Sequence, residues 1–272
     1  GLIDKEKYRH LVDRDGISME EAFAHCGLDF SSVDQANRAG EGFHAFFELH
    51  IEQGPMLISY EKKIGIVTGV AAPVRLLMTL NGKASHSGTT PMNMRKDALL
   101  GASELALELE KAAIAEQEFG TVATVGILDV VAGSMNVVPG QVELTVDIRS
   151  SSVQSRDRVL QQFYTAIANV QQKRLLAIDY KVISSEEPVL LSHSLMKGLE
   201  SICIDKNLSY QYMQSGAGHD SMNMIRLGPV GLIFIPSVDG LSHHPDEHTD
   251  LEDILLGIEV LEEAVLRSAI VI

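Results

Sequence analysis

The sequence predicts an α/β fold interrupted by an inserted α+β unit, and three observations carry that expectation. The apolar run Phe43–Gly54 (FHAFFELHIEQG) is bounded by turn residues and reads as a strand buried on both faces, as inside a helix-covered sheet. The run Gly231–Pro236 (GLIFIP) reads as a second buried strand. Between them, residues 70–184 follow the order β-α-β-β-α-β, the split βαβ arrangement of a ferredoxin-like sandwich, over a length normal for one small domain. The simplest division is an α/β domain in two segments, 1–69 and 185–272, with the inserted domain at 70–184.

The elements follow in order. Residues 1–42 read as helical and polar, with a capping box at Ser18–Glu21 and a stop at Gly27 after Cys26. Lys63–Ala71 (KIGIVTGVA) is apolar and β-branched, a strand. Val74–Asn81 alternates as a strand, and Pro91 stands at a first helical position. That helix is expected to run to about Glu118 with Leu99, Leu100, Leu105, Leu107 and Leu109 on its apolar side. Thr121–Val131 and Gln141–Ser150 are strands. In the latter, Val142, Leu144, Val146 and Ile148 alternate with Glu143, Thr145, Asp147 and Arg149, the cleanest period-two signal in the chain. A helix from Ser155 to about Gln172 and a strand Leu176–Ser184 complete the inserted unit. Beyond it come a capped helix (Ser192–Asn207), a strand (Leu208–Met213), a Gly-rich loop (Ser215–Asp220, SGAGHD) and the GLIFIP strand. A final helix is expected to be capped by Thr249 with Glu252, its apolar side formed by Leu251, Ile254, Leu255, Ile258 and Leu261.

Composition narrows the function classes. With 272 residues, 45% of them hydrophobic and 22% charged, the chain is long enough for one large domain or two moderate ones. A net charge of −15 and the absence of any Lys/Arg cluster argue against nucleic acid as a partner. No apolar run approaches the ~20 residues that span a bilayer, so no membrane partner is expected, and the N-terminus GLIDKEKYRH lacks a secretory core. The isolated Cys26 and Cys203 provide neither a disulfide framework nor a CxxC zinc site. A reducing, cytoplasmic setting fits that usage.

Chemistry-bearing side chains gather in four places. His50, Glu52 and Gln53 end the first strand, and open α/β sheets bind ligands outside the carboxyl ends of their strands. Taken alone, His50 also fits a buried histidine satisfied by a carbonyl. The loop SVDGLSHHPDEHTD carries His243, His244 and His248 with Asp239, Asp246 and Glu247. Imidazole and carboxylate are common metal ligands, although a solvated helix entry has the same composition. Ser85-His86-Ser87-Gly88-Thr89-Thr90 lies before a helix, where an imidazole beside amides suits an oxyanion. An exposed histidine beside a Ser/Thr cap is the plainer reading. Asn136 in SMNVVPG and Arg149 at a strand end suit a polar group and a carboxylate, or a turn and a surface ion pair. The glycines of SGAGHD permit backbone amides to approach an anion, without Rossmann or P-loop spacing.

Together, ELHIEQGP, SHSGTTPMNMRKDAL, NVVPGQVELTVDIRS, SGAGHDSMNM and GLSHHPDEHTD resemble, in order and over nearly the whole chain, the dinuclear-metal amidohydrolases that include N-carbamoyl-L-amino-acid hydrolases and allantoate amidohydrolases, a branch of the aminoacylase/carboxypeptidase metallopeptidase superfamily. The resemblance implies a metallopeptidase-like α/β catalytic domain whose inserted domain is a dimerisation lid. It implies that His50 and His243 are ligands to two divalent ions (Zn or Mn, with Co or Ni as alternatives), and that His244 occupies a variable position. Gln53 would contact substrate. His86 would reach the partner subunit of a homodimer to polarise the scissile carbonyl. Asn136 and Arg149 would bind the substrate carboxylate, facing a backbone cradle of Gly216, Ala217, Gly218 and His219.

The family's upstream His-x-Asp and Glu-Glu motifs, which give the remaining ligands and the general base, have no match here. His10 with Asp13 has the wrong spacing, and Glu20-Glu21 reads as a helix start. The resemblance therefore implies the C-terminal two-thirds or so of an enzyme, binding fewer ions than its parent and inactive or nearly so. The implied reaction is metal-dependent hydrolysis of a ureido or carbamoyl C–N bond in a small ureido acid, releasing ammonia and carbon dioxide. TTPM, NVVPG and FIPS favour allantoate over N-carbamoyl amino acids. A reading of another class is a non-catalytic dimerisation or binding module.

Overall fold

The computed structural model describes residues 3–13, 15–38 and 40–269. Its first part, expected to be helical and polar with a cap at Ser18 and a stop at Gly27, is built of short pieces: α1 (Lys5–Tyr8), α2 (Met19–His25) and a 3-10 segment Phe30–Ala36. Asp and Ser caps and a glycine stop divide it. Ser18 and Glu21 close the predicted capping box. Gly27 at φ 72 lets its own amide and that of Leu28 reach back to the Ala24 and Phe23 carbonyls, which ends α2 in a Schellman turn.

The remaining elements, in chain order, are β1 (Phe46–Ile51), α3 (Met56–Ser59), β2 (Ile64–Val70), β3 (Ala72–Asn81), β4 (Ser85–His86), α4 (Ala98–Ile114), β5 (Val122–Val130), β6 (Val137–Val138), β7 (Gln141–Ser150), α5 (Val153–Arg174), β8 (Ala177–Ser185), β9 (Val189–Leu190), α6 (His193–Asp205), β10 (Tyr210–Ser215), α7 (Ser221–Met224), β11 (Val230–Ile235) and α8 (Leu251–Ala269). They form two large sheets. The five-stranded sheet runs β1-β11-β2-β10, with β9 also on β2. β1 lies parallel to β11 and β2 parallel to β10, while β11 and β2 are antiparallel. β11 is buried along its whole length, as its unbroken apolar run requires. β1 corrects the expectation of burial on both faces. It is the edge strand of this sheet among the described residues, and every position in it is only half-buried.

The four-stranded sheet runs β5-β7-β3-β8, antiparallel throughout, the strand order of the ferredoxin-like sandwich read from the sequence. Val142, Leu144, Val146 and Ile148 of β7 are buried against α4 and α5 with Leu105, Leu109, Val159 and Phe163. The opposite face of β7 carries Glu143, Thr145, Asp147 and Arg149.

Two helices differ from expectation. Pro91 precedes a 3-10 turn (Met92–Met94), and α4 begins only where Asp97 accepts the Leu100 amide at 3.1 Å. Its buried stripe is Ala98, Gly101, Ala102, Leu105, Leu109 and Ala112, whereas Leu100 and Leu107 are exposed. The helix sits close enough to the sheet that small residues, rather than every leucine, line the contact. In α8, Ile254 and Leu261 pack on the core as expected, but Leu251, Leu255 and Ile258 are exposed. The most deeply buried stripe is Asp253, Gly257, Val260 and Ala264. A Cβ at position 257 would lie 2.7 Å from Ile235 Cγ2 and 2.8 Å from Leu49 Cδ1, so glycine sets that approach. The expected Thr249–Glu252 cap is not what holds Thr249, whose hydroxyl donates to the Pro236 carbonyl. Among the described residues no helix is long and apolar enough to cross a membrane.

Candidate functional site

β1 delivers Glu48 and His50 to one face because alternate residues of a strand point the same way. His50 Nδ1 lies 2.8 Å from the Ile51 carbonyl. A carbonyl only accepts, so Nδ1 is the donor here, and Nε2 is the nitrogen left to meet a metal, the orientation a ligating imidazole needs. His219, from the SGAGHD loop, packs edge-to-face on His50 at 4.7 Å and is 8% exposed. Its Nε2 lies 2.7 Å from Ser215 Oγ. Its Nδ1 is 3.6 Å from Glu48 Oε1, too far for a hydrogen bond, and has no partner. Burial, reinforced by His50, pushes the His219 pKa below the ordinary imidazole value, outweighing the nearby Glu48. The ring is therefore neutral at pH 7, and the short Glu48–His219 separation is not an ion pair.

Glu48 was not singled out from the sequence. Its Oε2 accepts the Ser221 amide at 2.9 Å and the Ser221 hydroxyl, tying the loop to β1. Only its position two residues before His50 signalled it. These groups line a crevice of about 570 Å³ together with Glu186, Gly218, Asp220 and Asn223.

Arg149 reaches the same loop from the four-stranded sheet. Its Nε and Nη2 donate to Asp147 at 2.7 and 3.1 Å, and Nη1 donates to the Gly216 carbonyl at 2.9 Å. The SGAGHD loop thus touches Arg149 through Gly216 and floors the crevice through Gly218 and His219. The Ala217 amide donates to Ser215 Oγ at 3.1 Å, inside a turn.

The paired carboxyl ends of β1 and β11 bring two further loops together. Gln53, at φ 58, donates its amide to Ser237 Oγ at 3.0 Å and its Nε2 to Ser242 Oγ at 2.6 Å. His243 follows directly; it is exposed, sits at φ 56, and donates its amide to Glu247 at 3.1 Å. Neither Gln53 nor His243 lines the crevice. Glu52, between them and His50, is buried and accepts the Met56 and Leu57 amides at 2.7 and 2.8 Å, so its carboxylate caps α3.

His86 and Asn136 meet elsewhere. The β4–β6 ladder sets His86 opposite Val137, and the Ser87 amide donates to the Asn136 carbonyl at 2.9 Å. His86 Nδ1 accepts the Gly88 amide at 3.0 Å, and both side chains are exposed. Asn136 precedes the start of β7 at Gln141 and Arg149 stands near its end at Ser150. At ~3.4 Å per residue the strand separates them by about 27 Å. The expectation that Asn136 and Arg149 hold one carboxylate is therefore not met within a single chain.

His50 suits one ion, but among the described residues no group of three or more His, Cys, Asp or Glu is placed to hold one. The described residues alone do not enclose a metal.

The crevice lies where α/β folds place their ligands, outside the carboxyl ends of the strands, with imidazole on its floor. Residues 11–267 match peptidase family M20/M25/M40, and the chain belongs to that family. It is similar to an uncharacterized hydrolase of Haemophilus influenzae, with 47% identity over 99% of this chain and 65% of the relative. It is similar to an N-carbamoyl-L-amino-acid amidohydrolase of Paenarthrobacter aurescens, with 36% identity over 96% of this chain and 63% of the relative. An allantoate amidohydrolase of Escherichia coli is 33% identical over 96% of this chain and 63% of its own length. The crystal structure of a hydantoinase/carbamoylase-family amidase from Burkholderia multivorans matches with TM-score 0.87 at 31% identity, over 99% of this chain and 64% of that one. The chain thus spans a little under two-thirds of the relatives it matches. Amidohydrolases of this family are generally dinuclear metal enzymes.

Proposed function

We propose that the whole protein hydrolyses a ureido or carbamoyl C–N bond of a small carboxylate-bearing substrate, allantoate ahead of N-carbamoyl amino acids. The observation that carries this reading is Arg149, fixed by Asp147 and by Gly216 of the loop whose Gly218 and His219 line the His50 crevice. A guanidinium fork there selects a carboxylate, and the names of the relatives supply the bond class. Zn or Mn ions, when bound, supply activated water. Since the described residues do not enclose an ion, the steps assigned to this chain are substrate capture and carbonyl polarisation.

Arg149 takes the carboxylate. His86 and Asn136, about 27 Å away along β7, serve the crevice of a second copy in a homodimer, where His86 faces the scissile carbonyl as charge develops on its oxygen. Gln53 fixes the Ser237–Ser242 loop, which carries His243.

Ammonia release by the whole protein, with Mn or Zn present, from allantoate and from N-carbamoyl amino acids tests the reading. Turnover of allantoate with the higher kcat/KM is expected, and no ammonia from either would overturn it. The missing ligand set favours a second reading for this chain by itself, a dimerisation or binding module. Metal-dependent ammonia release by the chain alone excludes that.

A further inference from the structure

On the outer face of the four-stranded sheet, Asp147 lies between two arginines. β3 sets Arg75 directly opposite it, and Arg75 Nε donates to Asp147 Oδ2 at 2.8 Å. Arg149 follows on the same face of β7, two residues on, and donates to both carboxylate oxygens. Burial would raise the Asp147 pKa, but the hydrogen bonds and charges of Arg149 and Arg75 outweigh it and hold the carboxyl below the ordinary range. Asp147 is therefore ionised at neutral pH.

The edge of the Arg149 guanidinium that Asp147 occupies decides what remains. A guanidinium has five N–H groups in a fixed planar fork. Nε–H and one hydrogen of Nη2 go to Asp147, and one hydrogen of Nη1 goes to Gly216. One hydrogen on each of Nη1 and Nη2 is left. An incoming carboxylate therefore meets Arg149 away from its Nε edge, in an orientation restricted by a side chain that never touches it. Arg75 offsets the charge of Asp147, while the Glu186 carboxylate, which lines the crevice, also acts on Arg149.

We propose that Asp147 is the positioning residue for substrate-carboxylate recognition, and that it sets affinity by aiming Arg149 while lowering the local positive charge. The inference rests on the reading of Arg149 as the carboxylate binder. It makes a prediction opposite in sign to charge alone, because neutralising Asp147 leaves the site more positive, and simple electrostatics would then tighten anion binding.

The experiment is steady-state kinetics of the whole protein on allantoate, or on the N-carbamoyl amino acid if that is what turns over. Asp147→Asn is expected to raise KM about tenfold with kcat within about twofold, the pattern of lost binding common to ground and transition state. Asp147→Ser, which removes the carboxylate without adding amide hydrogens, is the second variant and carries the same expectation. Asp147→Glu should return KM part of the way to wild type. A KM for Asp147→Asn or Asp147→Ser equal to or below wild type overturns the inference. Arg149→Lys separates the two claims. If it leaves KM unchanged, the carboxylate role of Arg149 fails. If it raises KM while the Asp147 variants do not, only the positioning role fails.

Discussion

At the scale of single residues, the ELHIEQG stretch divides its labour more sharply than its spelling suggests. Glu52 caps α3, Gln53 holds the Ser237–Ser242 loop, and His50 alone faces the crevice with a free nitrogen. Glu48 clamps the SGAGHD loop through Ser221. Its substitution by alanine would leave the Ser221 amide and hydroxyl without their acceptor, and such buried donors cost about 1–3 kcal/mol when orphaned. We predict that Glu48→Ala lowers hydrogen-exchange protection across Gly216–Ser221 while the β2 amides stay protected. Unchanged exchange in that loop would show that Glu48 is not what holds it. His50 stood out in the sequence because a polar residue interrupting an apolar run is conspicuous. Glu48 did not, since a glutamate on a half-buried strand has many innocuous uses, and only the fold brings Ser221 to it across more than a hundred residues.

At the scale of elements, strands were more legible than helices. The alternation of β7 dictated which side faces α4 and α5, because a period of two leaves no choice of face. The helices carry apolar residues around much of their circumference, so periodicity alone did not tell which stripe is deepest. In α4 and α8 the answer was set by small residues, Gly101, Ala102 and Gly257, that let the helix approach the sheet. Gly257→Ala is expected to destabilise the chain by about 1–3 kcal/mol, the usual cost of overpacking, because the new methyl would press on Ile235 and Leu49. Equilibrium denaturation checks it, and a loss near zero would mean that α8 can withdraw from the sheet without cost. The expected burial of β1 on both faces failed for a related reason. A strand's own sequence reports its affinity for cover, while the cover itself comes from neighbours far along the chain.

At the scale of the molecule, a polar contact crosses between the two sheets, and two more tie the residue after β8 to the four-stranded unit. Arg149 reaches Gly216, the Glu186 amide donates to the Pro73 carbonyl, and the buried Arg156 of α5 donates to the Glu186 carbonyl. The start of β3 and the residue after β8 are thereby tied to each other beside the crevice that Glu186 lines. The same geometry holds His86 and Asn136 at the far end of β7, a separation invisible in a list of motifs and obvious once the strand has a length. It is the separation that the proposed site shared between two copies is meant to explain. Subunit complementation in the whole protein tests that: His86→Ala and His50→Ala chains, each inactive as a homodimer, are mixed under conditions that exchange subunits. Random pairing in a closed two-fold dimer restores about a quarter of wild-type ammonia release if His86 serves its partner, because half the dimers are mixed and each has one intact crevice. Activity that stays at the level of the separate variants after verified exchange would place His86 and His50 in the same chain's site, and would contradict the shared arrangement.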